Sequence, residues 1–296
     1  MQRNAGRNVK KWNLVFDVAL CTGCQNCVLA LKDEYVGNRH AGYSAEMPAQ
    51  GGNWVEIRRR ERGSFPAVDV AHLFHCCQHC DQAPCIGASR DGAAKKRADG
   101  IVVIDPEKAK GQRAIAEACP HGAVQWNEAL SIPQHWNFDA HLIDAGWNAP
   151  RPVQACPTAA LRALKVEDEE MRRIAAAEGL ERLGGSAGGT RVYYRNLSRY
   201  RDEFVAGTLV GEETALEACV AGAEIALFRG AERVGTAASS AFGDFRFEGL
   251  SASGGRYRVE IKANGYRERK IEFDLRDSLW LGELRLEAAR DGRTLI

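Results

Sequence analysis

The 296-residue sequence lacks any uninterrupted apolar run of the roughly 18 residues that a membrane-spanning helix needs. It also lacks an excess of charge of either sign, because 40 Lys and Arg residues balance 39 Asp and Glu residues. The segment from Trp12 to Leu20 contains Asn13 and Asp17, where a secretion signal would need an apolar core. These absences argue against a membrane, secreted or nucleic-acid-binding protein. We therefore expect a cytoplasmic protein that binds neither membrane nor nucleic acid.

Cysteine is abundant and unevenly distributed. Nine of the ten cysteines fall in the first 156 residues. A disulfide framework does not account for this, since such frameworks belong mainly to short secreted chains. The first run has the spacing C-x2-C-x2-C and consists of Cys21, Cys24 and Cys27. Three thiolates on one glycine-containing loop can converge on one iron–sulfur cluster.

A second run has the spacing C-x2-C-x4-C and consists of Cys77, Cys80 and Cys85. Neither run has the trailing cysteine of bacterial two-cluster ferredoxins, because Leu31 and Ser89 occupy those positions. Two isolated Cys-Pro pairs lie downstream, at Cys119-Pro120 and Cys156-Pro157. Together these eight cysteines would suffice for two [4Fe-4S] clusters with four ligands each.

Several alternatives stay open at this point. Zinc also binds C-x2-C pairs, although it usually takes two ligands from each of two such pairs. Cys76 directly precedes Cys77 and could replace it, but Cys77 preserves the two-residue spacing to Cys80. We expect Cys219 to be an ordinary buried thiol. Five histidines near the motifs are expected to be structural residues or neighbours of ligands, namely His75, His79, His121, His135 and His141.

The cysteine motifs, with the string from Asp99 to Asp105, resemble the four-cluster ferredoxin subunits of the dimethyl sulfoxide reductase superfamily of molybdopterin oxidoreductases. The resemblance covers about residues 12–200. In that family the first cysteine motif pairs with the fourth, and the second pairs with the third. The resemblance implies one cluster bound by Cys21, Cys24, Cys27 and Cys156. It implies a second bound by Cys77, Cys80, Cys85 and Cys119, with exchange of the two isolated cysteines as the alternative.

The same resemblance implies that two further cluster sites have been lost as complete units. The ligands missing from one site would fall at Ser89, Ala109, Gln112 and Ile115. The ligands missing from the other would fall at or near Leu31, Trp136, Asp139 and Pro152. Ser89 and Asp139 carry oxygens, but neither keeps enough neighbouring thiolates to hold a cluster. We therefore expect both to be packed.

From about Glu203 onward, short alternating strands are separated by glycine-containing turns. Examples are Ala223–Phe228 and Tyr257–Ile261. This pattern predicts a β-sandwich. The segments Gly243–Gly249 and Tyr257–Tyr266 resemble transthyretin-like or carboxypeptidase-regulatory-like domains. Because these segments contain no recognisable catalytic arrangement, we expect this domain to have a docking or stabilising role and not a catalytic one.

The predicted fold class is α+β, with a ferredoxin-like domain of the degenerate four-cluster type followed by an all-β sandwich. We expect the iron–sulfur domain to span residues 1–202 and the sandwich to span residues 203–296. A charged helix is predicted over Glu167–Leu183, followed by a flexible stretch at Gly184–Gly189.

This domain order resembles the small subunits of the pyrogallol–phloroglucinol transhydroxylase and resorcinol-type hydroxylase group. The resemblance implies an electron-transfer subunit without catalytic residues. The molybdenum bis-pterin cofactor and the catalytic site would lie on a large partner subunit that acts on phenolic rings. The small subunit known in that group keeps three clusters, whereas this chain keeps ligands for two. This difference leaves open which reaction the complex catalyses. The alternatives are a free-standing two-cluster ferredoxin and a zinc-stabilised structural adaptor.

Overall fold

The computed structural model describes residues 9–184, 189–212, 217–253 and 255–289. The chain divides into two compact units. The first unit consists of Met1–Arg59 and His72–Leu197, and the second of Arg60–Ala71 and Ser198–Ile296. The expected division between residues 202 and 203 stays a prediction. Most of the predicted flexible stretch, residues 185–188, lies outside the described residues.

Helices are short, and two of them reach ten residues or more. The described residues contain α1 (Asn26–Tyr35), α2 (Pro84–Gly87), α3 (Ala114–Glu117), α4 (Ala140–Asp144), α5 (Arg151–Gln154), α6 (Asp168–Glu178) and α7 (Ser198–Arg201). Within the described ranges, no helix has both the length and the apolar character needed to cross a membrane.

A three-stranded sheet and three hairpins involve the first unit. Their strands are β1 (Lys11–Asp17), β2 (Val55–Ser64), β3 (Ala67–Cys76), β4 (Ala94–Lys96), β5 (Val102–Ile104), β6 (Gln125–Asn127), β7 (Ile132–Gln134), β8 (Leu161–Val166) and β9 (Val192–Arg195). The sheet has the order β8-β1-β9, with β1 antiparallel to β8 and parallel to β9. The hairpins are β2-β3, β4-β5 and β6-β7, and the first of them contributes residues to both units.

Strand β1 is the central strand of its sheet. Its five middle residues, Trp12 to Phe16, are all buried, as expected for a strand covered on both faces. Val15 packs with Tyr193 of β9 and Met171 of α6. Helix α6 therefore covers one face of this sheet.

The predicted charged helix is shorter than expected. Its first turn carries Asp168, Glu169 and Glu170, whose negative charges stabilise the positive end of the helix dipole. The helix ends at Glu178, because Gly179 adopts the left-handed conformation with φ of 62°. The prediction that it continues to Leu183 is wrong.

The second unit contains two four-stranded sheets. The strands are β10 (Glu203–Glu212), β11 (Glu217–Cys219), β12 (Glu224–Arg229), β13 (Glu232–Ala238), β14 (Asp244–Leu250), β15 (Gly255–Lys262), β16 (Arg269–Leu275) and β17 (Leu279–Leu286). One sheet has the order β11-β10-β14 with β17 parallel to β10, and the other has the order β13-β12-β15-β16. The predicted strands Ala223–Phe228 and Tyr257–Ile261 are confirmed as β12 and β15 to within about two residues at each end.

Both sheets contribute to one apolar core. Leu209 and Phe247 come from the first sheet, and Ile225, Leu227 and Val259 come from the second. Buried and less buried residues alternate along β12 and β15, so each strand turns one face to this core. The architecture is therefore a β-sandwich, and the chain as a whole is mixed α/β with mostly β structure.

A buried ion network lies within the second unit. The side chain of Arg62 has 0% exposure and contacts Asp69 and Glu248. Asp69 also accepts hydrogen bonds from Arg199 at 2.9 Å and Arg246 at 3.2 Å. Burial raises the pKa of Asp69, but hydrogen bonds from Arg62 and Arg199 outweigh it and hold that pKa at about 2.

We predict that Asp69→Asn lowers the local stability of the second unit by about 1.5–3 kcal/mol at pH 7, because Arg62 loses a charged partner. The folded pKa of Asp69 lies below its ordinary value, so the carboxylate contributes fully above about pH 4. That contribution is lost as the pH falls through about 2.

Hydrogen exchange of β10 and β14 peptides measures the effect. The control is Asp274→Asn, an exposed carboxylate on β16. Equal effects of both variants, or a pH-independent difference, would contradict the prediction.

Candidate metal centres

The structure brings Cys21, Cys24, Cys27 and Cys156 together, and we call this set group A. Burial raises the pKa of Cys21, and charge on Cys156 and Cys24 raises that pKa further. Burial likewise raises the pKa of Cys27 to about 12, with added effects from Cys21, Cys156 and Cys24. Because such charge effects weaken with distance, these four thiols lie in one region of the first unit.

The loop that carries the first three group A thiols has an unusual backbone. Gly23 and Gln25 both have left-handed conformations, with φ of 70° and 64°. A Cβ atom on Gly23 would lie 2.4 Å from Nε2 of His72, so glycine is required there. The backbone N–H groups of Gly23 and Val28 lie on the side of the sulfurs of Cys21 and Cys27, and each lowers the pKa of its thiol. The loop thus directs N–H donors toward the sulfurs.

Cys77, Cys80, Cys85 and Cys119 form a second set, group B. Burial raises the pKa of Cys77, and charge on Cys85 and Cys119 adds to the rise. Burial raises the pKa of Cys85 to about 11, with added effects from Cys119 and Cys80. These charge effects favour the pairing of Cys156 with the first run and of Cys119 with the second, and the pairing itself stays a prediction. Whether each group binds a cluster stays a prediction.

Lys96 supports the loop that holds Cys77 and Cys80, and sequence reasoning missed it. Its ammonium group donates to the carbonyl oxygens of His79 at 2.8 Å, Cys80 at 2.9 Å and Gly100 at 3.0 Å. It also pairs with Asp81 at 3.1 Å. Lys96 is half-buried on β4, next to exposed Lys95. The sequence pattern does not distinguish the two lysines, so only the fold shows that Lys96 supports the loop.

Arg191 was also missed as a supporting residue. Its buried guanidinium group contacts Asp81 at 2.8 Å and Asp168 at 3.0 Å. It also donates to the side-chain oxygen of Asn13 at 3.3 Å. These contacts connect the group B loop to the start of α6 and to β1. Arg191 is buried, and it acquires this role from partners far away in sequence.

The histidines beside group B make local hydrogen bonds. Nδ1 of buried His79 accepts from the backbone N–H of Val102 at 3.1 Å, and burial lowers the pKa of His79 well below its ordinary value. Nε2 of His121 lies 3.7 Å from Sγ of Cys80. Nε2 of His75 contacts the carbonyl oxygen of His121 at 2.8 Å. His121 is thus a neighbour of a predicted ligand.

All ten cysteines are free thiols in the structure. The thiol of buried Cys76 donates to the carbonyl oxygen of Cys77 at 3.3 Å, and charge on Cys27 raises its pKa beyond the effect of burial. The prediction that Cys219 is buried is wrong, because this residue is exposed. It lies at the end of β11, an edge strand of three residues that leaves side chains uncovered.

The positions of one cluster site that the family resemblance predicts as lost are filled by packing. Ala109 and Ile115 are fully buried in an apolar cluster that includes Cys85 of group B. The buried amide of Gln112 accepts from the backbone of Arg90 and donates to the backbone of Lys108, both at 2.7 Å. Ser89, the position of this site that was expected to be packed, is half-buried and its hydroxyl donates to the carbonyl oxygen of Ile86 at 2.8 Å.

The positions of the other site that the resemblance predicts as lost are filled by a mixture of apolar and polar groups. Leu31, Trp136 and Pro152 are buried. Asp139 is also fully buried, and it accepts three hydrogen bonds. The expectation that Asp139 is packed is confirmed.

One further set of possible metal ligands consists of Glu34, His40 and His141, whose ligand atoms lie within 4.8 Å of one another. The two imidazole rings stack with centroids 3.7 Å apart and an interplanar angle of 25°. A metal ion lies in the plane of the ring that binds it, so stacked rings cannot share one. Glu34 is already bound by Arg151 and His141, at 2.7 and 2.8 Å. This set is a hydrogen-bonded cluster.

Known proteins resemble this chain over most of its length. The 4Fe-4S dicluster domain family matches residues 68–166. The pyrogallol hydroxytransferase small subunit of Pelobacter acidigallici is 39% identical over 87% of this chain and 92% of that protein. The thiosulfate reductase electron transfer subunit of Salmonella typhi is 28% identical over 62% of this chain and 90% of that protein. The B subunit of anaerobic dimethyl sulfoxide reductase from Escherichia coli is 31% identical over 51% of this chain and 72% of that protein.

Similarity to solved structures is weaker. The 5-hydroxyisourate hydrolase of Klebsiella pneumoniae has a TM-score of 0.23 and 13% identity, over 29% of this chain and 87% of that protein. This similarity is too low to assign the sandwich to a family.

We predict that Lys96→Met lowers the free energy of unfolding of the first unit by about 2–4 kcal/mol, because three loop carbonyls lose a charged donor. Anaerobic urea denaturation followed by circular dichroism measures this loss. Lys95→Met is the matched control, and we expect it to change the free energy of unfolding by less than about 0.5 kcal/mol, since Lys95 is exposed. Similar losses in both variants would show that the loop does not depend on Lys96.

Proposed function

We propose that this chain transfers electrons through two [4Fe-4S] clusters. The premise is that the chain belongs to the iron–sulfur subunit family that includes the pyrogallol hydroxytransferase small subunit. Group A would bind one cluster and group B the other. The observation that carries the proposal is the grouping of eight thiols, from motifs far apart in sequence, into two sets of four. Four cysteine thiolates are the usual ligands of such a cluster.

The chain's own residues have three tasks in this function. They bury four of the eight thiols, including those of Cys27 and Cys85, whose pKa is raised so that their thiolates are unfavourable unless positive iron compensates. They direct backbone N–H donors to sulfur, including that of Ala123 to Cys119 at 3.4 Å. They also hold the loops in place, as Lys96 does for group B. Bound clusters supply one-electron redox chemistry.

The spacing of the sulfurs disfavours zinc. In the described part of the chain, no three cysteine sulfurs lie within 4.8 Å of one another. A tetrahedral zinc ion with zinc–sulfur distances of about 2.3 Å would hold its four sulfurs about 3.8 Å apart. A wider arrangement suits a cluster of several irons. This observation supports iron–sulfur clusters over the zinc-stabilised adaptor.

We further propose a large partner subunit that carries the molybdenum bis-pterin cofactor and catalyses hydroxyl transfer or addition on a phenolic ring. The relative from Pelobacter acidigallici supports this, because it is named as the small subunit of a pyrogallol hydroxytransferase. In this proposal the chain itself is not catalytic. The free-standing ferredoxin is less favoured. Two relatives whose sequences are matched over most of their own length are both named as subunits. The cytoplasmic location and the transthyretin-like character of the sandwich stay predictions.

The first test is metal analysis of the complex, purified anaerobically, with iron, acid-labile sulfide, zinc and molybdenum measured and the subunits quantified. We expect about eight iron and eight sulfide on this chain, after any partner cluster is subtracted. Molybdenum in a co-purifying large subunit would support the proposed partner. About two zinc without sulfide would instead establish the adaptor.

The ligand sets predict specific losses of iron. We expect Cys156→Ser and Cys119→Ser each to remove one cluster, which is about half of the iron. Combining Cys21→Ser with Cys156→Ser should remove no more than either alone, whereas Cys21→Ser with Cys119→Ser should remove all of it. The exchanged pairing predicts the opposite result for the two double variants. Cys219→Ser is the control and should keep both clusters, because Cys219 is exposed and outside both groups.

A further inference from the structure

Asp139 joins three separate segments of the first unit. Its Oδ1 atom accepts hydrogen bonds from the hydroxyl of Tyr35 and from Nε1 of Trp136, each at 2.8 Å. Its Oδ2 atom accepts from the backbone N–H of Arg151 at 2.7 Å. The side chains of Tyr35, Trp136 and Asp139 are all fully buried. Tyr35 is the last residue of α1 and Arg151 is the first residue of α5, so one carboxylate connects both helices.

The backbone is strained to bring this carboxylate into position. Phe138 and Asp139 are consecutive residues with left-handed conformations, at φ of 62° and 52°. Residues other than glycine adopt this conformation at a cost, which persists where surrounding contacts compensate for it. The three hydrogen bonds to Asp139 supply such compensation.

A second link joins the same two helices. The guanidinium group of Arg151 contacts Glu34 at 2.7 Å and Asp33 at 2.6 Å, both near the end of α1. His141 contacts the other oxygen of Glu34 at 2.8 Å. The backbone and the side chain of Arg151 therefore both bind groups that fix α5 against α1.

Both helices lead directly to group A. Cys27 lies within α1, and Cys156 follows α5 with its backbone N–H bonded to the carbonyl oxygen of Val153 at 3.4 Å. We propose that Asp139 is a positioning residue for group A, which sets the separation between Cys27 and Cys156. This rests on the proposed function, since group A is taken as a cluster site. Asp139 also lies where the sequence resemblance implies a lost ligand, so a hydrogen-bonded carboxylate now links segments that a cluster would have joined.

The test is Asp139→Asn in the full chain, purified anaerobically with its clusters. Asparagine keeps the volume of the aspartate side chain but replaces one acceptor oxygen with an NH2 group. This group would face a hydrogen-bond donor and cannot accept a hydrogen bond from it. We expect iron release from group A to a chelator to accelerate about tenfold or more, as expected for a lost buried hydrogen bond. The electron paramagnetic resonance spectrum and reduction potential of that cluster should also change, while those of the group B cluster stay the same.

Two variants assign the signals and one controls for general destabilisation. Cys156→Ser identifies the group A signal, and Cys119→Ser identifies the group B signal. The control is Asp144→Asn, which loses hydrogen bonds from Arg97 and Tyr43 at the end of α4 and should leave both clusters unchanged. If Asp139→Asn does not fold, Tyr35→Phe removes the hydrogen bond from α1 to Asp139, together with the 3.0 Å contact to Oδ1 of Asn137, and should give the same selective change.

The outcomes separate this proposal from the proposed function. Equal weakening of both clusters, or no change in either, would overturn the positioning role of Asp139. If Cys156→Ser keeps all of its iron, the ligand set of group A is wrong, whatever Asp139 does. A selective change at group A, with the Asp144→Asn protein unchanged, supports the proposal.

Discussion

The burial of part of the cysteine sulfur, at Cys27, Cys77, Cys80 and Cys85, is the constraint on which the first unit depends. A buried thiolate is unfavourable, as the raised pKa values of Cys27 and Cys85 show, so thiolates in these positions require a compensating positive charge. Each group of thiols also combines a local run with one distant cysteine, which must be brought close by the fold. The left-handed loop residues, the N–H donors and Lys96 all serve that requirement. The short helices of this unit follow from it, because much of the chain here forms loops around sulfur.

The positions at which the family resemblance predicts two lost cluster sites are filled in different ways. Near group B, Ala109 and Ile115 extend an apolar core, and the amide of Gln112 satisfies neighbouring backbone groups. Near group A, the carboxylate of Asp139 accepts three hydrogen bonds, from Tyr35, Trp136 and Arg151. An apolar filling adds contacts without direction, whereas a carboxylate imposes directional links. The second filling is therefore the one that can hold two helices at a defined separation.

The errors of sequence reasoning have physical causes. The helix after Glu167 was expected to reach Leu183, but the left-handed conformation of Gly179 ends it. Cys219 was expected to be buried, since free cysteine usually is, yet a three-residue edge strand leaves it exposed. Lys96, Arg191 and Asp139 acquire their roles from partners far away in sequence. Residue type and spacing contain no information about such partners.

The sequence by itself determined the types and the local spacing of the candidate ligands, the alternating strands of the sandwich and the absence of long apolar runs. These features depend on residues a few positions apart, whose geometry follows from the period of a loop, helix or strand. Only the tertiary structure favours one of the two pairings that the sequence left open, in which Cys156 lies near the first run and Cys119 near the second. It also decided that Asp139 connects α1 with α5, and that Arg62 lies buried among carboxylates in the second unit. Such contacts depend on how distant segments pack, and that packing is set by the burial and hydrogen bonding of the whole chain.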